Sequence, residues 1–206
     1  MQSYSNIIKI ITFLCVGILA SYTASAQSEQ REEDATMNVI YGKNHILTIE
    51  TPVGWINDRE IAQKIGLTNL FYAKADTALM QKSYMYVNGY DKASTKDILQ
   101  DFIDDYIQSY RIQYPDCKFE IEEVGGNGGV KNAILYSFFN LNDRYREEVL
   151  YSETESAVII LVFSATTQTD YENYQSVFDD FIQSFTYRGD NPKPFLDYMN
   201  AQRVMQ

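Results

Sequence analysis

Apolar and polar positions along the chain fall into two rhythms, and the switches between them predict an order of elements. Residues 37–41 and 46–51 are β-prone runs joined by Gly42-Lys43-Asn44-His45, which reads as a hairpin. Pro52 and Gly54 stop the second run. Asn57 or Asp58 is placed to cap a short helix through Ile65, with Gly66 in the C-terminal capping position. Residues 69–73 and 83–87 read as further strands. The clearest helix follows: Ile98, Leu99, Phe102, Ile103, Tyr106, Ile107 and Tyr110 recur at helical spacing and lay one apolar stripe along residues 96–113. Ser94 or Thr95 can cap it, and Pro115 forbids its continuation.

The second half is richer in strands. Cys117, Phe119 and Ile121 alternate with Lys118, Glu120 and Glu122, the period of a half-exposed strand. The glycine run at residues 125–129 separates it from a strand at 132–139, and strands at 144–151 and 157–163 follow. The last of these, Ala-Val-Ile-Ile-Leu-Val-Phe, holds no polar residue, so it should be central and covered on both faces. Thr169 with Glu172 reads as a capping box. It opens a second amphipathic helix whose inner face carries Tyr171, Tyr174, Val177, Phe178, Phe181, Ile182 and Phe185. Consecutive hairpins and two amphipathic helices predict the α+β class: a largely antiparallel sheet flanked by helices, with cover expected on both faces. No internal repeat at a fixed period suggests a solenoid.

The start of the chain changes this picture. Lys9, an apolar run at residues 10–20 and Ala24-Ser25-Ala26 follow the order of a secretory signal, which predicts cleavage after residue 26. Eleven apolar residues are too few to span a bilayer, where a helix needs about 20. Cys15 follows Leu14, where a lipidation signal wants a small residue. The expected organisation is a signal at 1–26, a disordered leader at 27–36, a single domain at 37–188 and a polar C-terminal tail at 189–206. The product would be periplasmic or secreted, with no stable membrane insertion.

Charge and chemistry narrow the function classes. The chain carries a net charge of −11, and loss of Lys9 with the signal makes it one unit more negative. A chain this acidic, without a basic stripe, is a poor partner for nucleic acid. His45 is the sole histidine, and Cys117 is the sole cysteine beyond the signal, so no zinc-type constellation forms and no metal or cofactor is expected. His45 reads as a polar surface residue in a turn, and Cys117 as a small apolar residue packed in phase with Phe119 and Ile121. The acids Asp97, Asp101, Asp104 and Asp105 read as a solvated helix face. The glycine run leads into a strand rather than a helix, so it reads as a hairpin loop and not a phosphate cradle. The 17 tyrosines suit half-buried strands, and Trp55 reads as a core anchor. No catalytic residue is singled out.

Three features together resemble the Mog1/PsbP-like superfamily of α/β/α sandwiches. They are the strand ending Ile49-Glu50-Thr51-Pro52-Val53-Gly54-Trp55, the strand Val162-Phe163-Ser164-Ala165 followed by Tyr171 and Tyr174 on a helix, and the helix exit Phe181-Ile182-Gln183-Ser184-Phe185. Residues 54–73 and 84–88 further resemble bacterial periplasmic members without a defined activity. The resemblance spans roughly residues 37–188 and implies a fold but no mechanism. The expected function is therefore a non-catalytic accessory domain that binds an unknown protein partner in the bacterial envelope. The alternatives are a binder of carbohydrate or lipid and a hydrolase with an unrecognised site.

Overall fold

The computed structural model describes residues 36–74, 83–92, 99–124 and 131–204. The expected signal, the caps at Ser94 and Thr95, and the glycine run lie outside them. One strand organises the rest. β9 (Ala157–Ala165) is buried at all nine positions, as its unbroken apolar run requires. It is flanked by β5 (Tyr84–Asp91) and β8 (Arg146–Glu153), both antiparallel to it. Beyond β8 lie β7 (Lys131–Phe139) and β6 (Lys118–Val124). Beyond β5 lie β4 (Phe71–Ala73) and β3 (Trp55–Asn57). Together they form a seven-stranded sheet in the order β3-β4-β5-β9-β8-β7-β6.

Side chains alternate across this sheet, and each face finds a different cover. Val158, Ile160 and Val162 of β9 join Tyr86, Tyr136, Phe138, Val149 and Tyr151 on one face. That face is covered by helix α2 (Leu99–Gln113), whose Phe102, Ile103, Tyr106, Ile107 and Tyr110 are buried, and by the short helix α1 (Arg59–Lys64) through Ala62. Asp58 caps α1 by accepting the Ile61 N–H at 2.9 Å. Ile159, Leu161 and Phe163 point the other way, towards helix α3 (Gln168–Ser184), which buries Tyr171, Phe178 and Phe181 against them.

The fold is thus α+β, antiparallel throughout and flanked by helices on both faces, as the sequence predicts. The second face carries one element the sequence pattern did not separate. β1 (Met37–Tyr41), β2 (Ile46–Glu50) and β10 (Thr186–Gly189) form a three-stranded sheet of their own, in the order β1-β2-β10. Its Ile40, Leu47 and Ile49 share the core with α3. Trp55 anchors the same core, edge-on to Tyr174 at 5.1 Å.

Several local expectations are corrected. The cap of α3 is Thr167, whose hydroxyl accepts from the Asp170 N–H; Thr169 and Glu172 lie inside the helix. The segment read as a polar tail contains helix α4 (Lys193–Val204). Cys117 is only partly buried, and Ile121, read as its core-facing neighbour, is 55% exposed because β6 ends the sheet.

The phase of α2 gives a direct test. Ile103 is fully buried, while Asp104 is exposed and hydrogen-bonded to Gln100. Ile103→Asp should cost several kcal/mol through an unpaired buried charge, whereas Asp104→Ala should stay within about 0.5 kcal/mol. Urea midpoints measure both, and equal midpoints would contradict the helix phase.

Candidate functional site

The structure assigns His45 to the interior, against the surface reading. Its imidazole is 2% exposed, and its Nδ1 lies 2.9 Å from Asp91 Oδ1 at the end of β5. Asp91 also accepts the backbone N–H groups of Lys43 and Asn44. Burial pushes the Asp91 carboxyl upward, but those N–H groups and His45 outweigh it and hold it below its usual value. The ring is seated between Gly42 and Gly89: a Cβ on either glycine would come within 2.4 Å of an imidazole atom. Ser156, in the β8–β9 connection, donates to the Asn44 carbonyl and bonds to Asp190, with Tyr187 alongside. The histidine therefore latches the β1–β2 hairpin to the main sheet. Cys117 sits beside β6 at the far side of that sheet, and burial pushes its thiol up, away from the reactive thiolate. The two residues share no site.

Among the described residues, seven tyrosines are buried in the core; of those on strands, Tyr86, Tyr136 and Tyr151 are among them. Tyr86, Tyr106, Tyr110, Tyr136 and Tyr151 pack with Phe102 and Phe138 under α2. This aromatic layer surrounds Glu147, which is 5% exposed. Burial pushes its carboxyl up to about 7, and a bond from Ser164 offsets only part of that. Arg144 Nε, at 3.9 Å, is too distant to hydrogen-bond it.

The next residue has a different environment because it points to the other face. Glu148, 3% exposed, accepts from Tyr171 Oη at 2.7 Å and pairs with Arg146 at 2.9 Å. The Arg146 guanidinium also donates to Ser137 and lies over the rings of Phe139 and Tyr171, at 4.7 and 4.4 Å from their centres. A planar cation stacked on two rings suits arginine, and the stacking would not survive replacement by lysine.

This polar cluster closes one end of a groove of about 360 Å³. Its floor is apolar, made by Ala133, Leu135, Leu150 and Leu161 of β7, β8 and β9. One wall is the stripe Gln175, Asp179, Ile182 and Gln183 of α3, and the other side is Glu122 and Val124 of β6. Asp179 and Glu122 are both exposed on the rim. Partial burial, Asp180 and Glu122 together hold the Asp179 carboxyl above its usual value. Among the described residues, neither acid has an ion-pair partner, and no group of three His, Cys, Asp or Glu side chains is placed to hold a metal. Sequence reasoning did not single out Arg146, Glu148 or Asp179. The available signal was the pair Glu147-Glu148 directly before the apolar Val149-Leu150-Tyr151 of the same strand, since adjacent strand residues face opposite sides.

Glu147 makes stability depend on pH in a stated direction. Its folded value lies above the ordinary glutamate value, so folding favours the protonated acid. Stability is complete below about pH 4.5 and is lost as pH rises through about 7, by roughly 3 kcal/mol. Glu147→Gln should therefore raise the urea midpoint more at pH 8 than at pH 5. An equal gain at both values would contradict this environment.

No family model matches the chain, and no curated protein matches it. Among solved structures, the chain is similar to cyanobacterial PsbP from Synechocystis sp. PCC 6803, in solution, with a TM-score of 0.47 and 13% identity, covering 82% of this chain and 98% of that one. It is also similar to a Pseudomonas aeruginosa protein of unknown function, with a TM-score of 0.37 and 13% identity, covering 78% and 89% of the two chains. At these scores neither likeness transfers a ligand or a role.

Proposed function

We propose that this protein is an exported, non-catalytic binding domain that holds a basic segment of a partner protein at the acidic β6 rim of the groove between α3 and strands β6 to β8. The observation that carries the reading is the rim: Glu122 and Asp179 raise each other's negative potential across an apolar floor, and no described cation answers them. A lysine or arginine reaching over the rim between Glu122 and Asp179 relieves like-charge repulsion while its aliphatic stem lies along the groove side of β6, beside Val124. The groove is partly open, which suits an extended chain along its rim better than an enclosed small molecule. Export rests on the secretory signal read at residues 1–26. The non-catalytic reading is supported by the structural use of His45 as a latch and by the raised Cys117 thiol.

Calorimetric titration of the purified protein with a capped lysine-rich peptide tests this. Binding should be detectable at about 50 mM salt and weaken strongly at about 500 mM, where screening acts within a few ångströms. The Glu122→Lys/Asp179→Lys variant changes two exposed residues, so its urea midpoint should hold while affinity falls by at least roughly tenfold. Unchanged affinity in the folded variant, or tighter binding of a glutamate-rich peptide, would overturn the reading.

A further inference from the structure

We infer that the basic segment is taken as an added strand on β6, extending the seven-stranded sheet by one. The inference rests on the proposed function for the sign of the partner's charge, and on separate observations for the mode of binding. Among the described residues, β6 is paired with β7 on one side only and ends the sheet. It is seven residues long, against three for β3 at the other end, so it offers the longer free row of backbone donors and acceptors. The pairing register also fixes what each side of that row displays. Glu120 and Glu122 stand beside Ser137 and Leu135, on the groove face, with Lys118 and Val124 at the two ends of that row. Phe119 and Ile121 stand beside Phe138 and Tyr136, on the α2 face, with Glu123 next along and Ile121 55% exposed.

An incoming strand meets both sets at once, because its own side chains alternate in the same way. Those facing the groove lie next to Glu120 and Glu122 and within reach of Asp179, which calls for lysine or arginine. Those on the opposite face lie next to Phe119 and Ile121, which calls for apolar, β-prone residues. The fitting partner is thus an extended segment of alternating basic and apolar residues. A second copy of this chain does not fit the same edge. Two β6 strands paired antiparallel about Ile121 would bring Glu120 against Glu122 twice, and like charges paired across strands are unfavourable. The acids therefore bar self-association at this edge while selecting a cationic strand. The edge strand β1 of the smaller sheet, Met-Asn-Val-Ile-Tyr, carries no acid and lacks this selectivity.

The test uses a capped peptide of four Lys-Val repeats and two isomers of it, one N-methylated on every lysine amide and one on every valine amide. In an added strand, the N–H groups that face the edge belong to alternate residues, so all come from one residue type. One isomer should bind nearly as the parent does, and the other should lose affinity by at least roughly tenfold, having lost several hydrogen bonds. Equal behaviour of the two isomers, whether both bind or both fail, overturns strand addition. If both bind like the parent, the basic-segment reading still stands on its charge and salt tests. If the parent peptide itself does not bind, that reading falls and this inference falls with it.

Discussion

The constraint on which the rest of the structure depends is that β9 cannot tolerate water on either face. All nine of its residues are buried, and its backbone is paired on both sides by β5 and β8. An apolar strand of this kind obliges the chain to supply a cover for each face, and each cover then finds its own place. Tyr106 and Ile103 of α2 close over Ile160 and Val162. Phe178 and Phe181 of α3 close over Leu161 and Phe163, and the hairpin bearing Leu47 and Ile49 completes that side. The His45–Asp91 latch keeps the hairpin there, 46 residues apart in sequence.

The groove follows from the width of the sheet. β6 lies three strands from β9, about 14 Å at ordinary strand spacing, beyond the reach of a helix of about 5 Å radius seated over β9. On the α2 face, large rings bridge the gap: Tyr110 stacks on Phe138 at 4.4 Å, and Phe119 meets Tyr136 at 5.6 Å. On the α3 face, β7 presents Ala133, Leu135 and Ser137, which are too short to do so. The alternation Ala-Ile-Leu-Tyr-Ser-Phe in β7 thus makes one face a core and the other a groove. Glu148 is tolerated on the groove floor because Arg146, Ser137 and Tyr171 surround it.

Elements with many turns of period were legible in the sequence. The stripe of α2, the inner face of α3 and the uniform apolarity of β9 each repeat often enough to fix an orientation. β3 and β10 were not, because three or four residues carry no measurable rhythm. The separation into two sheets was not legible either, since pairing between β2 and β10 is decided by tertiary position. His45 was misplaced because its burial depends on a carboxylate supplied by another strand. Gly89, inside a run otherwise favourable to β structure, held the available hint: a glycine within a strand marks a close approach, here by the imidazole. The site was the least legible part. Its charge pattern on β6 is visible as alternating glutamates, but its apolar floor and its facing acid on α3 are assembled only by folding.

If β6 is a recognition edge, amide hydrogen exchange across residues 118–124 reveals it. Exchange followed by NMR, without and with the capped Lys-Val peptide at saturation, should show alternate β6 amides slowing markedly while those of β1 are unchanged. Saturated peptide binding with no slowing in β6, or with protection at β1 instead, would contradict the account.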